Sequence, residues 1–369
     1  MPLRVATFNV ENLFERPIAM NLQNRQEGQP YINDCARLDT LFNQETYSDS
    51  DKEEILTLLE KYGLDKTWGE NTYLTLREVR GKLLAHPAGK RAEVVASGRG
   101  DWVGWVELNK EPIDDEAIAN TARVIADVNP DIIIMVEVES RRTLIDFHDS
   151  ILAPMMKNMG QETYAHIMVI QGNDRRGINV GIMSRRPIVR MVSHVDDMTK
   201  ENTPLFSRDC PEYYIDLGDG SDFIVLPNHL ASKGSDTTGS RRRVQASAIR
   251  DIYDRLHQTC PRIIIGGDFN DYKASGALDP ILKNTDLTDA MDLPKYTGKY
   301  PGTYETATEK MKFDYLFLSP DLAGKVTKVD VNRMGYYAPK KWESYQNVTD
   351  SKGRFNASDH QCLWAEIDL

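Results

Sequence analysis

The alternation of hydrophobic and polar positions predicts strands along most of the chain. Apolar and polar residues alternate from Leu3 to Val10, which predicts a first strand. The β-branched runs Ile132 to Val136 and Ile263 to Ile265 are typical of fully buried strands. Later strands are predicted around Lys312 to Leu318 and Gln361 to Asp368.

Two hairpins are predicted between the two buried strands. Tyr164 to Gln171 and Ile178 to Ser184 flank the turn G-N-D-R-R-G. Tyr213 to Leu217 and Phe223 to Asn228 flank the turn G-D-G-S. Each pair of segments has the length and turn chemistry of neighbouring antiparallel strands.

Helical spacing of apolar residues predicts a helix after Asp114, which the pair Asn129 and Pro130 ends. A basic helix is predicted to begin near Ser240. Its inner face is expected to consist of Val244, Ala248, Ile252 and Leu256. This mixture of strands, hairpins and helices has no regular βαβ repeat, and it suits packed sheets with helices outside them.

Residues 17–113 form a long connection that should have its own structure and a role. Helices are predicted near Lys52 to Lys61 and Leu74 to Leu84. We expect one catalytic domain over residues 1–369, with residues 17–113 as an inserted lobe beside the active site. Its tryptophans, Trp68, Trp102 and Trp105, are expected either to pack in a core or to stack on nucleic-acid bases.

The composition is that of an ordinary globular protein, with 40% hydrophobic and 27% charged residues. No apolar run approaches the roughly 18 residues of a membrane span, so no transmembrane segment is expected. The net charge of −11 disfavours indiscriminate binding to polyanions. It does not exclude nucleic acid, because bound cations and a local basic cleft offset a distant acidic surface.

Cysteine usage and the start of the chain bear on its compartment. The four cysteines form no C-x-x-C pair, which argues against a zinc knuckle or redox motif. Free thiols are expected, and two disulfides are the alternative in an exported protein. No signal peptide is visible, so the chain is expected to be cytoplasmic, or secreted or periplasmic if a leader was trimmed. No obligate protein partner is evident.

Small polar clusters lie at the ends of the predicted strands. They are Asn9 with Glu11 and Asn12, Glu137, Asn228 with His229, Asp268 with Asn270, and Asp359 with His360. Turn capping explains one such cluster, but carboxylates after several core strands need partners. Hydrolysis of a phosphate ester uses such a set, because a hard cation held by carboxylates neutralises the phosphate.

The motifs resemble those of the endonuclease/exonuclease/phosphatase superfamily. F-N-V-E-N-L, D-I-I-I-M-V-E, G-G-D-F-N, F-D-Y-L-F-L-S and S-D-H follow one another in the order that this superfamily uses, over residues 1–16 and roughly 114–369. N-D-R-R-G-I-N-V-G-I-M-S-R is similar to its bacterial branch. The superfamily includes pancreatic deoxyribonuclease, abasic-site endonucleases, sphingomyelinases and inositol-polyphosphate phosphatases. The resemblance implies an α/β (α+β) fold, a four-layered α/β sandwich of two packed mixed sheets with outer helices.

The resemblance also implies a metal site at one edge of the two sheets. Glu137 would be the principal ligand, Glu11 and Asp359 would complete the acidic pocket, and Asn9 would support it. Oxygen ligands of this kind suit Mg²⁺ or Mn²⁺, as one or two ions. Many relatives have Asp at the position of Glu11, so its carboxylate would reach the metal differently or through water.

The catalytic roles implied by the resemblance fall on a second set of residues. Asp268 and Asn270 would orient the nucleophilic water and hold a phosphate oxygen. Asp314 would bond to His360 and set its tautomer. His229 would protonate the leaving group or bind phosphate.

One departure from the deoxyribonuclease branch concerns His229. That branch has a glutamate on an earlier strand as the partner of this histidine, whereas Asp174 is the nearest upstream carboxylate here. Weaker candidates for contact with the substrate phosphate are Arg176, Arg208, Lys233 and Arg243.

The leading hypothesis is therefore a Mg²⁺- or Mn²⁺-dependent phosphodiesterase that acts on nucleic acid, a nuclease in the broad sense. A phosphatase or a sphingomyelinase-like phospholipase, acting on a small-molecule or lipid headgroup phosphoester, is the alternative, since one fold hosts many substrates. A binding or scaffold protein that has lost catalysis is disfavoured, because every residue of the motif set is present.

Overall fold

The computed structural model describes residues 2–11, 13–20, 22, 25–67, 69–174, 176–349 and 353–369. Its strands are β1 Leu3–Asn9, β2 Glu15–Pro17, β3 Leu74–Arg80, β4 Leu84–Ala85, β5 Glu93–Val94, β6 Val103–Leu108, β7 Lys110–Pro112, β8 Ile132–Val138, β9 His166–Ile170, β10 Asn179–Ser184, β11 Ile188–Val192, β12 Glu212–Asp216, β13 Asp222–His229, β14 Ile263–Asp268, β15 Thr288–Asp289, β16 Asp314–Leu318, β17 Val326–Asn332 and β18 Cys362–Ile367.

The α-helices are α1 Arg25–Phe42, α2 Asp49–Lys61, α3 Asp115–Val128, α4 Arg141–Phe147, α5 Ala153–Asn158, α6 Ser240–His257, α7 Asp279–Leu282 and α8 Pro320–Ala323. A π-helical turn, His148–Leu152, joins α4 to α5. Short 3-10 helices cover Ile18–Met20, Lys273–Ser275, Ala290–Asp292 and Glu309–Met311. Among the described residues, none of the helices is both long enough and apolar enough for a membrane span.

The chain forms two compact units: a main unit of residues 1–14 and 113–369, and an inserted unit of residues 15–112. The main unit contains two six-stranded sheets. The first has the strand order β17-β18-β1-β8-β10-β9, and the second has the order β11-β12-β13-β14-β16-β15. Each sheet is mixed, because β1 pairs parallel with β8 and β13 pairs parallel with β14, while their other neighbours run antiparallel.

The side chains alternate along each strand and bury both faces of each sheet. Val5 of the first sheet packs with Ile264 of the second sheet between the two sheets. On the outer face of the first sheet, Phe8 packs in a cluster with Ile125 of α3. Ile265 packs with residues of α6 on the outer face of the second sheet. The expected four-layered α/β sandwich is therefore confirmed.

Most sequence predictions for the main unit agree with this structure. Both predicted hairpins form, as the antiparallel pairs β9 with β10 and β12 with β13. Helix α3 begins after Asp114, whose side chain accepts from the Glu116 amide at 2.9 Å. It ends at Asn129, which adopts a left-handed φ of 51°. All four cysteines are free.

The predicted inner face of α6 is partly wrong. Val244, expected to be buried, is 49% exposed. The buried side chains of the helix are instead Arg242, Gln245, Ala246, Ile249, Ile252, Tyr253 and Leu256. Hydrophobic periodicity could not identify this face, because the buried side chains of its first two turns include the polar residues Arg242 and Gln245. Both form hydrogen bonds with the loop at Ala231.

The inserted unit differs more from the sequence prediction. The predicted helix over Leu74 to Leu84 is wrong, since Leu74–Arg80 is a strand that pairs antiparallel with Val103–Leu108. Helix α1, Arg25–Phe42, was not predicted, because its polar sequence contains an internal proline. Distant pairing and packing outweigh local propensity in both segments.

Two tryptophans of the inserted unit have different environments. Trp102 is buried, packs edge-on against Phe42 at a ring distance of 5.0 Å and donates to the Tyr47 hydroxyl at 2.9 Å. Trp105 is 42% exposed, and Trp68 lies outside the described residues. Core packing therefore accounts for Trp102. A lobe that borders the active site stays a prediction.

A glycine next to Asp268 is required by the close approach of two strands. Gly267 of β14 lies opposite Asn228 of β13 and has a φ of +135°. A Cβ atom at this position would lie 1.9 Å from the Asn228 carbonyl oxygen. Only glycine fits, and its absent side chain lets β13 and β14 bring their last residues together.

We expect Gly267→Ala to destabilise the main unit by about 3 kcal/mol or more, because it combines an unfavourable φ with a backbone clash. Gly220→Ala is the matched control, since Gly220 also has a positive φ, +75°, but faces open space. That change should cost only about 1 kcal/mol. Urea unfolding of both variants provides the comparison, and equal losses would contradict the clash.

Candidate active site

Strand register aligns three candidate residues at one edge of the second sheet. His229 of β13 lies opposite Asp268 of β14, and Asp268 lies opposite Asp314 of β16. Each of the three is buried. Local sequence alone could not predict this alignment, because it depends on one parallel and one antiparallel pairing.

The first sheet supplies Asn9 and Glu137 at the same edge. Asn9 ends β1, and its Nδ2 donates to Asp268 Oδ2 across the two sheets at 3.1 Å. Glu137 has no partner in the register of β8 with β10, where Val136 and Val138 face consecutive residues, so it is the extra residue of a β-bulge. Bulges of this kind redirect a side chain beside active sites.

A short hydrogen-bond chain joins the first strand to the S-D-H segment. The Glu11 amide donates to Asn9 Oδ1 at 3.0 Å, and the Asp359 amide donates to Glu11 Oε2 at 3.0 Å. Ser358 Oγ donates to the Asn9 carbonyl at 2.7 Å and accepts from the His360 amide at 3.0 Å. No role was predicted for Ser358 from the sequence, although its place in S-D-H was the available signal.

His360 lies among three carboxylates. Its Nδ1 is 2.8 Å from Asp314 Oδ2, while its Nε2 is 3.8 Å from Asp268 Oδ2 and 4.0 Å from Asp359 Oδ1. Burial alone would lower the pKa of His360, but Asp314 and then Asp268 outweigh it and raise this pKa well above its ordinary value.

His229 has the opposite electrostatic environment. Its Nε2 lies 3.6 Å from Asp268 Oδ2 and 3.8 Å from Glu137 Oε1. Burial, followed by the charges of Arg208 and Arg176, lowers the pKa of His229 well below its ordinary value. Its Nδ1 is buried and has no hydrogen-bond partner among the residues that the structure describes.

Asp174 pairs with two arginines rather than with His229. Its Oδ2 is 2.9 Å from Arg208 Nη2 and 2.8 Å from Arg176 Nη2. Burial alone would raise the pKa of Asp174, but Arg208 and then Arg176 lower it to about 2. Arg208 is 3% exposed, and its Nη1 also donates to the Leu230 carbonyl at 3.4 Å. The ionised Asp174 therefore holds both guanidinium groups in place.

Negative charge accumulates in the buried part of this edge. Burial, together with Asp314 and Glu137, raises the pKa of Asp268 to about 7 against the opposing effect of His360. Burial and then Asp359 raise the pKa of Glu137. Asp268, Asp314 and His360 also form a group whose ligand atoms lie close enough to hold a metal ion.

Backbone strain is concentrated at the same place. Glu11, Glu137 and Asn270 have left-handed φ angles of 52°, 65° and 51°, which non-glycine residues seldom adopt and which surrounding structure must enforce. The Asn270 amide donates to Asp268 Oδ1 at 2.7 Å, and its Nδ2 donates to the Leu230 carbonyl at 3.2 Å. The strained turns aim these side chains at one edge of the sandwich.

Two of the weaker phosphate candidates have other contacts. Lys233 Nζ lies 3.4 Å from Asp271 Oδ1 and 4.7 Å from the centre of the Phe313 ring. Arg243 is exposed and donates to the Gly276 carbonyl at 2.7 Å. None of the described contacts of Arg243 is with the other candidate site residues, so the structure does not bring Arg243 into the candidate site.

The sequence model of the Endonuclease/Exonuclease/phosphatase family matches residues 108–360, which is more than half of the chain. The chain belongs to this family. Its members hydrolyse phosphoesters, so the protein is a phosphoester hydrolase. None of the curated proteins matches the sequence.

Solved structures of family proteins resemble the chain at low identity. Truncated TDP2 from Caenorhabditis elegans is 20% identical, with 69% of this chain and 91% of that chain covered and a TM-score of 0.47. The human Nocturnin catalytic domain with bound sulfate is 15% identical, with 70% and 88% covered and a TM-score of 0.48. A mannosyl-6-phosphatase from Bacteroides thetaiotaomicron is 15% identical, with 68% and 90% covered and a TM-score of 0.46.

We expect Asp174→Asn to lower the free energy of unfolding of this protein by about 3–5 kcal/mol at pH 7, because it leaves the buried Arg208 without its charged partner. Asp251→Asn breaks an ion pair in which Asp251 is mostly exposed, and it should cost less than about 1 kcal/mol. Urea unfolding of each variant against the wild type measures both differences.

The destabilisation by Asp174→Asn should depend on pH in one direction. The pKa of Asp174 is lowered to about 2 in the folded protein, so its ionised form stabilises the fold. That contribution is complete above the unfolded pKa of about 3.9 and declines as the pH falls through the folded value. The difference between wild type and variant should therefore shrink from pH 7 to pH 3. An undiminished difference at pH 3 would exclude the ion pair as its cause.

Proposed function

We propose that this site hydrolyses phosphodiester bonds with the help of a divalent cation, and that its substrate is nucleic acid. The observation that carries the proposal is the convergence of Glu137, Asp268 and His360 beside a second histidine at one edge of the two sheets. His229 Nε2 is within 3.8 Å of both Glu137 and Asp268, and His360 Nε2 is within 3.8 Å of Asp268.

The proposed cation ligands are Glu137, Glu11 and Asp359, with Asn9 in support. The donor atoms are carboxylate oxygens, which suit Mg²⁺ or Mn²⁺ as one or two ions better than a soft metal. Burial and Asp359 raise the pKa of Glu137, which is the effect expected of a pocket with too little positive charge of its own. Such a cation, when bound, neutralises negative charge on the phosphate.

The proposed catalytic residues orient the attacking water, hold the phosphate and stabilise the transition state. Asp268 accepts a hydrogen bond from the attacking water and orients it, while Asn270 holds a phosphate oxygen. Asp314 holds His360 through Nδ1, so that Nε2 faces Asp268 and the reacting phosphate. His360 thereby places positive charge near the phosphoryl oxygens, which carry the negative charge of the transition state.

We assign the substrate phosphate to the basic side of the same edge. We assign phosphate binding to His229 Nε2, the nitrogen that faces Glu137 and Asp268, because the lowered pKa of His229 leaves it without a proton to give to the leaving group. Arg176 and Arg208, fixed by Asp174, supply guanidinium groups, which suit phosphate oxygens.

Charge favours a diester over a monoester at this site. A diester has a single negative charge, whereas a monoester approaches two near neutral pH. The carboxylates of Glu137, Asp268 and Asp359 therefore repel a diester less than a monoester.

Surface chemistry favours nucleic acid over a lipid diester. A lipid substrate would need an apolar surface beside the site. Within the described part of the main unit, the exposed large hydrophobic residues lie outside the segments that carry the site residues: Met159, Val189, Met191, Met198, Val244, Met334 and Leu369.

We expect the protein to cleave plasmid DNA and bis-p-nitrophenyl phosphate with Mg²⁺ or Mn²⁺, to lose this activity in EDTA and to be slower on p-nitrophenyl phosphate. Glu137→Gln should lower kcat/KM for the diester by about a thousandfold or more, because the cation loses its principal ligand. Glu366→Gln is the control, since Glu366 pairs with Arg4 at the opposite end of the same sheet. Undiminished activity in EDTA would refute the metal requirement, and monoester or sphingomyelin hydrolysis without nuclease activity would refute the substrate class.

Asp268 and His360 are expected to act on the same water or phosphate. Asp268→Asn and His360→Ala should each lower kcat by about a thousandfold. The double variant should lose far less than the product of the two effects, because the residues work as a unit. The measurement is a double-mutant cycle on bis-p-nitrophenyl phosphate with melting temperatures as a check on folding. Fully multiplicative losses would show that the two residues act independently.

A further inference from the structure

The first two turns of α6 bury a polar face that the proposed mechanism does not use. Arg242 is 3% exposed, and its Nε donates to Asp271 Oδ2 at 2.9 Å. Its Nη1 donates to the Ala231 carbonyl at 3.1 Å and lies 3.6 Å from Asp236 Oδ2. One guanidinium group thus joins α6, the loop of residues 231–239 and the turn after β14.

Asp271 connects this guanidinium group to the candidate active site. It directly follows Asn270, and its second carboxylate oxygen, Oδ1, lies 3.4 Å from Lys233 Nζ. The Asp271 carbonyl accepts from the Tyr315 hydroxyl at 3.0 Å, which attaches the same turn to β16. A shift of Asp271 would therefore move both Asn270 and Lys233.

The loop of residues 231–239 lies against this ion pair at Asp236 and Gly239. Gly239 has a φ of +75°, and a Cβ atom there would lie 3.4 Å from Arg242 Nη2 and 3.8 Å from Asp271 Oδ2. Asp236 Oδ2 accepts from the Arg242 amide at 2.9 Å, which satisfies a backbone donor of the first helical turn. The loop therefore contacts both the backbone and the side chain of Arg242.

Stability alone does not explain why this position has a buried charge. Well-packed apolar residues often replace a buried ion pair without loss of stability, because desolvation offsets the attraction. A guanidinium group differs from them in fixing several acceptors in one geometry. Here those acceptors belong to segments that carry Lys233 and Asn270.

We propose that Arg242 is a positioning residue of this enzyme, which holds Asp271 and the loop of residues 231–239 so that Asn270, beside Asp271, faces the substrate phosphate. Arg242 does not itself touch the substrate. The effect on turnover rests on the proposed function, whereas the effect on the two segments does not.

The first test measures hydrogen exchange in the full-length protein by mass spectrometry. Arg242→Gln should accelerate exchange in residues 231–239 and 268–272 and leave β1 and β8 unchanged. The matched control is Arg241→Gln, one residue earlier on the exposed side of the same turn. Arg242→Lys, which retains the charge without the planar fork, should produce the same pattern to a smaller degree. It also allows the measurement if Arg242→Gln does not fold.

The second test measures coupling in the hydrolysis of bis-p-nitrophenyl phosphate with Mg²⁺ or Mn²⁺. Arg242→Gln should lower kcat/KM by about 10–100-fold, the usual effect of a residue that orients active-site groups. In an Asn270→Ala background the same change should have an effect of less than about threefold, because Arg242 acts through that turn. A general loss of stability would instead lower both backgrounds alike.

The outcomes separate this proposal from the proposed function. Unchanged exchange in residues 231–239 and 268–272 would overturn the role of Arg242, as would an undiminished loss of rate in the Asn270→Ala background. A wild-type protein without activity on any diester would refute the proposed function instead. The exchange comparison would then still decide whether Arg242 holds the two segments.

Discussion

The Asn9 amide donates to the Asp268 carboxylate across the interface of the two sheets, and the arrangement of the whole candidate site depends on this meeting of two strand ends. The sheets pack through an apolar layer that contains Val5 and Ile264. This layer sets their separation, and the packing of β1 against β14 across it brings Asn9 and Asp268 to the same edge. The hydrogen bond is therefore a consequence of core packing as much as a contact of the site.

The edge of the sandwich where these strands meet has two features that destabilise the folded protein. Burial, and after it the neighbouring carboxylates, raise the pKa of Asp268 to about 7 and also raise that of Glu137. The backbone at Glu11, Glu137 and Asn270 is left-handed. A sequence selected for stability alone would avoid both features. Their coincidence at one edge is expected of an enzyme, because active sites retain strain and like charge where the chemistry uses them.

Buried polar groups around the site hold it in place. Asp174 fixes two arginines, and Arg242 fixes Asp271 beside Asn270. Each of these groups is an ion pair inside the main unit, where the geometry of a guanidinium fork is more specific than apolar contact. The inserted unit has its own core and its own ion pairs, such as Arg37 with Glu54.

The sequence by itself determined the fold class and the strands that carry the motif residues. Buried strands such as β8 and β14 are unbroken apolar runs, and hairpins are marked by their turns, so both are local signals. It also pointed to Glu137, Asp268 and His360, because a carboxylate or histidine at the end of a core strand needs a partner. The strand Leu74–Arg80 was mistaken for a helix, since its pairing with Val103–Leu108 is not a local property.

Only the tertiary structure decided which polar groups face one another. The bulge at Glu137 arises from the register of β8 with β10, and the alignment of His229 with Asp268 and Asp314 arises from the pairing of three strands. Arg242 and Ser358 gave no periodic signal, because their partners lie on segments distant in sequence. Hydrophobic patterns record how much of a segment is buried. Hydrogen bonds and ion pairs depend on distances between segments, and those distances exist only in the folded chain.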